Sequence, residues 1–169
     1  LDIAGAVLAL NALVGALGRE GGVFLSPVAP LTEAYHAPAS SKEITALIEK
    51  LNSGRVKTLF VHGTNPVFDL PKAYGFEEAM NQAEQVISFA TFPDETAVQA
   101  DYVFPDHQGL ESWGYQQVAT GANASVLSGA QPVVVPMFNS KSTVDVFLAA
   151  AQQAGGKVAI ALPFKDEVE

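Results

Sequence analysis

A chain of 169 residues is of single-domain size, and 49% hydrophobic with 16% charged residues is the composition of a core-rich globular protein, not a disordered or fibrous one. Eighteen acidic residues against nine basic ones leave a net charge of −9, which opposes nucleic acid or an anionic membrane surface as a direct partner. Cysteine is absent, so disulfides, thiolate zinc sites and cysteine-ligated iron–sulfur clusters are excluded within these residues.

The first stretch, Ile3 to Leu17, carries apolar residues at Ile3, Val7, Leu10, Leu13, Val14 and Leu17, and Gly18 stands where a left-handed stop would fall. This predicts a helix. Interrupted by Gly5, Asn11 and Gly15, it is too short and too broken to cross a membrane, which needs roughly 18 or more apolar residues. The chain opens at Leu1 without Met or a basic leader, in what reads as helix interior, which suggests a cut from a longer polypeptide. Residues 19 to 39 hold Gly21, Gly22, Pro27, Pro30 and Pro38, an irregular excursion with room only for an extended piece at Val23 to Leu25. Ser40 and Glu43 form a capping box ahead of the stripe Ile44, Leu47, Ile48 and Leu51, and Gly54 ends this second helix.

Thr58 to His62 reads as a buried parallel strand closed by Gly63 and followed by a loop. A helical stretch, Phe76 to Ala83, leads to a second apolar run, Val86 to Phe92, which Pro93 breaks ahead of a short helix near Asp94. Val103 and Phe104 make a third strand, closed by Pro105. Strands alternating with helices over short connections imply right-handed crossovers, a parallel sheet and the α/β class. Asp106 to Ala130 is polar and aperiodic, a long ordered loop or an insertion, and Pro132 to Pro136 suits an edge segment or a covering strap, so that 106–136 is expected as loop and strap within one domain spanning 1–169. Asn139 to Ser142 offer caps for a helix carrying Val144, Phe147, Leu148 and Ala151 that ends at Gly155 and Gly156, and Val158 to Leu162 suggests a last short strand.

In an open parallel sheet, ligands sit beyond the carboxyl ends of the strands, which directs attention to Gly63 to Leu70, Ala90 to Thr96 and Asp106 to Gly114. Gly63 lets backbone approach a ligand, and Thr64 and Asn65 supply a hydroxyl and an amide for a nucleotide base or phosphate; the plainer reading is a turn redirected by Asn65 and Pro66. Neither GxGxxG nor GxxxxGK[ST] is present, which argues against a free NAD site or an NTPase. His36, His62 and His107 lack any paired spacing, so no metal ligand is assigned. Asp94, Asp106 and Glu111 could pair as acid and base, yet helix capping accounts better for Asp94 and no GxSxG elbow accompanies them, so no catalytic residue is assigned. Asn123-Ala124-Ser125 fits the glycosylation sequon, a pattern short enough to arise by chance.

The stretch DETAVQADYVFPDHQGLESWG, Asp94 to Gly114, resembles a signature of the molybdopterin oxidoreductase family, the dimethyl sulfoxide reductase and formate dehydrogenase group. LNALVGALGREGGVF (Leu10 to Phe24), LFVHGTNPVFDLP (Leu59 to Pro71) and QPVVVPMFNSKSTVDVFLAAA (Gln131 to Ala151) follow the family's order, so the likeness covers nearly the whole chain. Within the family it is most similar to polysulfide-reductase-like subunits and the large iron–sulfur subunit of alternative complex III.

The resemblance implies a Rossmann-like three-layer domain, part of a larger subunit, that holds a guanosine end of the bis-molybdopterin guanine dinucleotide. Residue by residue, Gly63, Thr64 and Asn65 match the strand-end motif that approaches the nucleotide, Thr96 the threonine of the TETA motif, and Glu111 the later glutamate before the loop glycine. Asp101 matches the acidic member of the AD pair, with a structural hydrogen bond as its role. Phe89 and Ala90 depart from the pattern: active members often carry a polar pair ending in Asp there, facing the guanine edge, and an apolar pair supplies no such acceptors. The implied partners are the rest of the subunit, with an amino-terminal iron–sulfur region, and the subunits of a prokaryotic membrane complex. Two functions compete: a cofactor-holding part of a working molybdenum enzyme, and a structural electron-transfer subunit that kept the fold and lost the cofactor. A stand-alone small-ligand module is a third. Without cysteine or a spaced histidine–carboxylate cluster, the chelator-washed chain is expected to be redox-silent and free of metal; stoichiometric molybdenum or iron on elemental analysis would refute this.

Overall fold

The computed structural model of the chain describes residues 2–24, 38–117 and 126–168. Internal contacts gather into two units, one from Leu1–His36 with Tyr115–Ala130 and the other from Ala37–Gly114 with Gln131–Glu169. Leu25 of the expected extended piece and the Asn123 sequon lie outside the described residues.

In the first unit, helix α1 spans Asp2–Leu13. It ends earlier than the apolar spacing predicts, because Gly15, at φ +68°, turns the backbone left-handed while the amide of Val14 still donates to Leu10. Gly18 then serves a different purpose: it follows Leu17, which forms an isolated parallel bridge with Val23. Gly22 makes this return possible, since a Cβ there would stand 1.9 Å from the carbonyl oxygen of Ala16. Two short strands, Gly114–Gln117 and Leu127–Ala130, pair in a small sheet, so the polar region expected as loop contains regular structure.

The second unit begins with α2 (Ser41–Asn52), and its start is local chemistry. The Ser40 hydroxyl accepts from the Glu43 amide, while the Glu43 carboxylate accepts from the Ser40 amide at 2.8 Å and from its hydroxyl at 2.7 Å. Those bonds, the hydroxyl's first, hold the Glu43 carboxyl below its usual range. β1 (Thr58–His62), α3 (Pro66–Asp69), α4 (Phe76–Met80), β2 (Gln85–Phe89) and β3 (Tyr102–Val103) follow. The connection after β1 is therefore more helical than a loop, with Pro66 at the first turn of α3, where a missing N–H costs nothing. Three-residue 3₁₀ turns at Lys72–Tyr74 and Ala97–Gln99 complete the crossovers, the second standing where a short helix near Asp94 is expected.

The strands form a parallel sheet ordered β1-β2-β3, with Leu59 opposite Val86, His62 opposite Phe89 and Ser88 opposite Val103. The amides of Asp101 and Phe104 extend the β3 ladder to the carbonyls of Val86 and Ser88, at 2.9 Å each. Side chains alternate across this sheet. Leu59 and Val86 face α2 and α4, where Ile48, Leu51, Phe76, Ala79 and Met80 are buried. On the opposite face Phe89, 3% exposed, centres an aromatic cluster with Phe60, Phe104 and Phe147, its ring 5.2 Å from that of Phe147. Phe147 belongs to α5 (Thr143–Ala154), so helices cover both faces, as the α/β class requires.

The last expected strand is a correction: Gly156–Ala161 is a helix, α6. Gly155 and Gly156, at φ +67° and +59°, reverse the chain after α5, and the amide of Leu162 donates to Val158, so the segment satisfies its backbone internally. Pro132 to Pro136 forms no strand, and the amides of Val133 and Val134 donate to the carbonyl of Leu110. Leu51 is fully buried between α2 and the sheet, so Leu51→Ala should destabilise the fold by about 2–5 kcal/mol in denaturant unfolding; a loss below about 1 kcal/mol would contradict this packing.

Candidate functional site

The carboxyl ends of β1 and β2 open onto a cavity of about 380 Å³. Its lining comes from the end of β1 and its loop (Val61 to Asn65, with Asp69), from the end of β2 and its loop (Ser88 to Phe92, with Asp94), and from Asp106 beyond β3. This is the edge where an open parallel sheet puts ligands. Gly63, Thr64, Asn65, Phe89 and Ala90 are all in the lining; Thr96 and Glu111 are not. Gly63 holds φ +64°, a conformation that disfavours any side chain at the point where β1 turns into its loop.

Thr96 sits behind the cavity, fully buried, and joins its two main loops. Its hydroxyl donates to Asn65 Oδ1 at 2.7 Å and accepts from the Val67 amide at 3.1 Å. The Asn65 side-chain amide in turn donates to Glu95 at 2.6 Å, and this bond, the largest cause, lowers the Glu95 carboxyl from its usual range. Asp94 fixes the second loop by accepting the amides of Thr96 (3.1 Å) and Ala97 (2.7 Å) on Oδ1, the capping role expected of it. Asp101 accepts the Val86 amide at 2.7 Å, a strand-tying bond.

Asp106 performs a task that local sequence does not display. Its Oδ1 accepts the amides of His107 and Thr143, both at 2.9 Å, so it caps α5 from 37 residues away, while Oδ2 lies 2.9 Å from His62 Nε2. Ser142, the residue at the cap position, makes no side-chain cap. Glu111 ties its own loop to the chain at Met137: its carboxylate accepts the amides of Gln108 and Met137, at 3.0 Å each. Those backbone bonds, Met137's first, lower its pKa from the ordinary value.

The lining carries the carboxylates of Asp69, Asp94 and Asp106 and no Lys or Arg. A phosphate-bearing group would meet negative charge without a compensating Lys or Arg, and Ala90 adds a methyl that offers no acceptor. The lining therefore offers carboxylate acceptors and no Lys or Arg cation to such a group. Among the described residues no group of three or more His, Cys, Asp or Glu is arranged to hold a metal ion, and no helix is long and apolar enough to cross a membrane. Asp69, Asp94, Asp106 and Ser88 are among the lining residues that sequence reasoning did not assign to a ligand. Ser88 carried a signal, being the one hydroxyl in the apolar run Val86 to Phe92 apart from Thr91.

A parallel sheet with helices on both faces and a cavity at its carboxyl edge defines an α/β domain. Residues 1–153 match the family model described as molybdopterin oxidoreductase, and the chain belongs to that family. It is 32% identical over 161 residues to the menaquinone reductase, molybdopterin-binding-like subunit of Nitratidesulfovibrio vulgaris, covering 92% of this chain and 23% of that protein. It is also 33% identical over 76 residues to the NADPH-Fe(3+) oxidoreductase subunit alpha of Geobacter sulfurreducens, covering 45% of this chain and 9% of that protein. The chain thus spans about a quarter or less of the length of these relatives.

Replacing Thr96 with Val keeps the shape but strands the Val67 amide and Asn65 Oδ1, so Thr96→Val should lose about 1–3 kcal/mol in denaturant unfolding; no loss would show that the joint is not needed. Glu111 has a folded pKa below its unfolded one, so its contribution to stability is present above the unfolded value and disappears as pH falls through the folded one. Backbone NMR should show the Met137 amide shifting along an acid titration with a midpoint below 4.5; a midpoint at or above that value would contradict the bond.

Proposed function

We propose that this chain is a domain of the large subunit of an electron-transfer oxidoreductase complex, and that its role there is structural: it keeps the nucleotide-type fold without clasping the guanosine end of a molybdopterin cofactor. The observation that carries the reading is the cavity chemistry, an aliphatic Ala90 beside three carboxylates with no Lys or Arg in the lining. The domain would dock with the rest of its subunit, including an iron–sulfur region, and through other subunits with a prokaryotic membrane. The relatives' names support this setting, since each is a subunit of a reductase, one acting on menaquinone and one on ferric iron.

A second reading, that the domain holds the guanosine end of the guanine dinucleotide form of the cofactor, is favoured by the Gly63 to Asn65 loop at the edge of a cavity of about 380 Å³. Gly63, Thr64 and Asn65 would then approach phosphate and ribose, Phe89 and Ala90 would face the base, Thr96 would hold the loops in register, and Glu111 would brace the loop beyond. Titration calorimetry with GDP and ADP separates the two. The structural reading expects binding no tighter than about millimolar, with guanine selectivity appearing in Ala90→Asp. Micromolar, guanine-selective binding by the unmodified chain would contradict it.

A further inference from the structure

We infer that the free edge of β1 is a docking site for one more strand, an uncharged segment of the same polypeptide lying outside these residues. The strand would come from the rest of the large subunit, so this rests on the reading of the chain as one of that subunit's domains.

The edge supplies the first observation. The sheet runs β1-β2-β3, and no other strand among the described residues pairs with β1. The Gln85 amide donates to the Lys57 carbonyl at 3.0 Å, and Thr58 stands opposite Gln85. In that parallel register Leu59 and Val61 bond to β2, while the amides and carbonyls of Thr58, Phe60 and His62 point the other way. Exposed sheet edges are normally blunted by shortness, charge or proline. β3 is blunted: it has two residues, with Asp101 before it and Pro105 soon after. β1 has five residues, Thr-Leu-Phe-Val-His, with no Lys, Asp, Glu or Pro among them. An edge left open in this way invites a covering strand.

The space beside that edge supplies the second. A groove of about 370 Å³ is lined by Ile44 and Leu47 of α2 and by Leu59, Phe60 and Val61 of β1. Leu59 and Phe60 project to opposite faces of the sheet, so a groove that touches both wraps the edge itself. Phe60 and Leu47 are 51% and 37% exposed, apolar surface that an incoming strand would cover. Among the described residues only His62 and Asp69 bring titratable groups to the lining, which calls for uncharged side chains on the strand. The sheet also indicates the source. Its strands are parallel, and a parallel neighbour reaches its place by a crossover within one polypeptide, whereas a second copy related by a two-fold axis would present β1 antiparallel. Most of the length of the menaquinone reductase subunit to which this chain is similar lies outside the match, which leaves ample chain to supply the strand.

Hydrogen–deuterium exchange, resolved to single amides by electron-transfer fragmentation, tests this in the chain and in the larger subunit. In the chain, Leu59 and Val61 should exchange at least about 100-fold more slowly than Phe60 and His62, because the first pair is bonded to β2 and the second is not. In the larger subunit Phe60 and His62 should slow by at least about 100-fold, with Leu59 and Val61 slow in both. Leu47→Lys puts a charge on the helix side of the groove. It should leave the pattern in the chain as it is and, in the larger subunit, return Phe60 and His62 to within about tenfold of their rates in the chain. Circular dichroism checks that the variant folds, and if it does not, the unmodified proteins still decide. Fast exchange at Phe60 and His62 in the larger subunit, or a folded Leu47→Lys subunit that keeps them slow, overturns the inference and leaves in place the structural reading, which nucleotide titration tests. Slow exchange at both in the chain alone also overturns it: protection that rises with protein concentration assigns the edge to a second copy, and protection independent of concentration assigns it to a segment of these 169 residues.

Discussion

One buried hydroxyl sets the geometry of the sheet's carboxyl edge. Thr96 donates to the Asn65 side chain and accepts from the Val67 amide, and those two bonds join the loop after β1 to the loop after β2 across 31 and 29 residues of chain. Both strands deliver their loops to the same edge because they are parallel and in register, His62 opposite Phe89. Asp94 presents Thr96 by capping its turn, and Asn65 passes the connection on to Glu95. The cavity is what remains between two loops held at this spacing.

The sheet in turn depends on what covers it. Leu59 and Val86 point into the cluster under α2 and α4, while Phe60 and Phe89 point to α5 through Phe147. Asp106 links that second layer to the cavity, because the carboxylate that lines it also caps α5. One carboxylate thus belongs both to the cavity lining and to the start of a 12-residue helix.

What could be read from sequence was local. The Ser40–Glu43 box, the two apolar runs that became β1 and β2, and the glycine closing β1 each rest on chemistry within a few residues, and each is found where expected. The end of α1 was misplaced because Gly15 and Gly18 both suit a left-handed stop, and only the bridge between Leu17 and Val23 distinguishes their roles. The segment after Gly156 has the composition of either a short strand or a short helix, and the turn at Gly155 decides for helix. Of the cavity, the loops were legible and the charge was not. Asp69, Asp94 and Asp106 are spread over three connections, and nothing in their spacing announces that all of them line one cavity. Glu111, matched by resemblance to a family position, is placed by the fold where it accepts the Met137 amide.

The chain has the family's α/β architecture, and the cavity at its sheet edge is lined by Asp69, Asp94 and Asp106 with no Lys or Arg. The most direct measurement is acid release of bound nucleotide from the purified large subunit that carries this chain, followed by chromatographic quantitation of GMP. The account predicts no stoichiometric guanine nucleotide. One or more GMP per polypeptide, lost on substitution of Gly63 or Asn65, would contradict it.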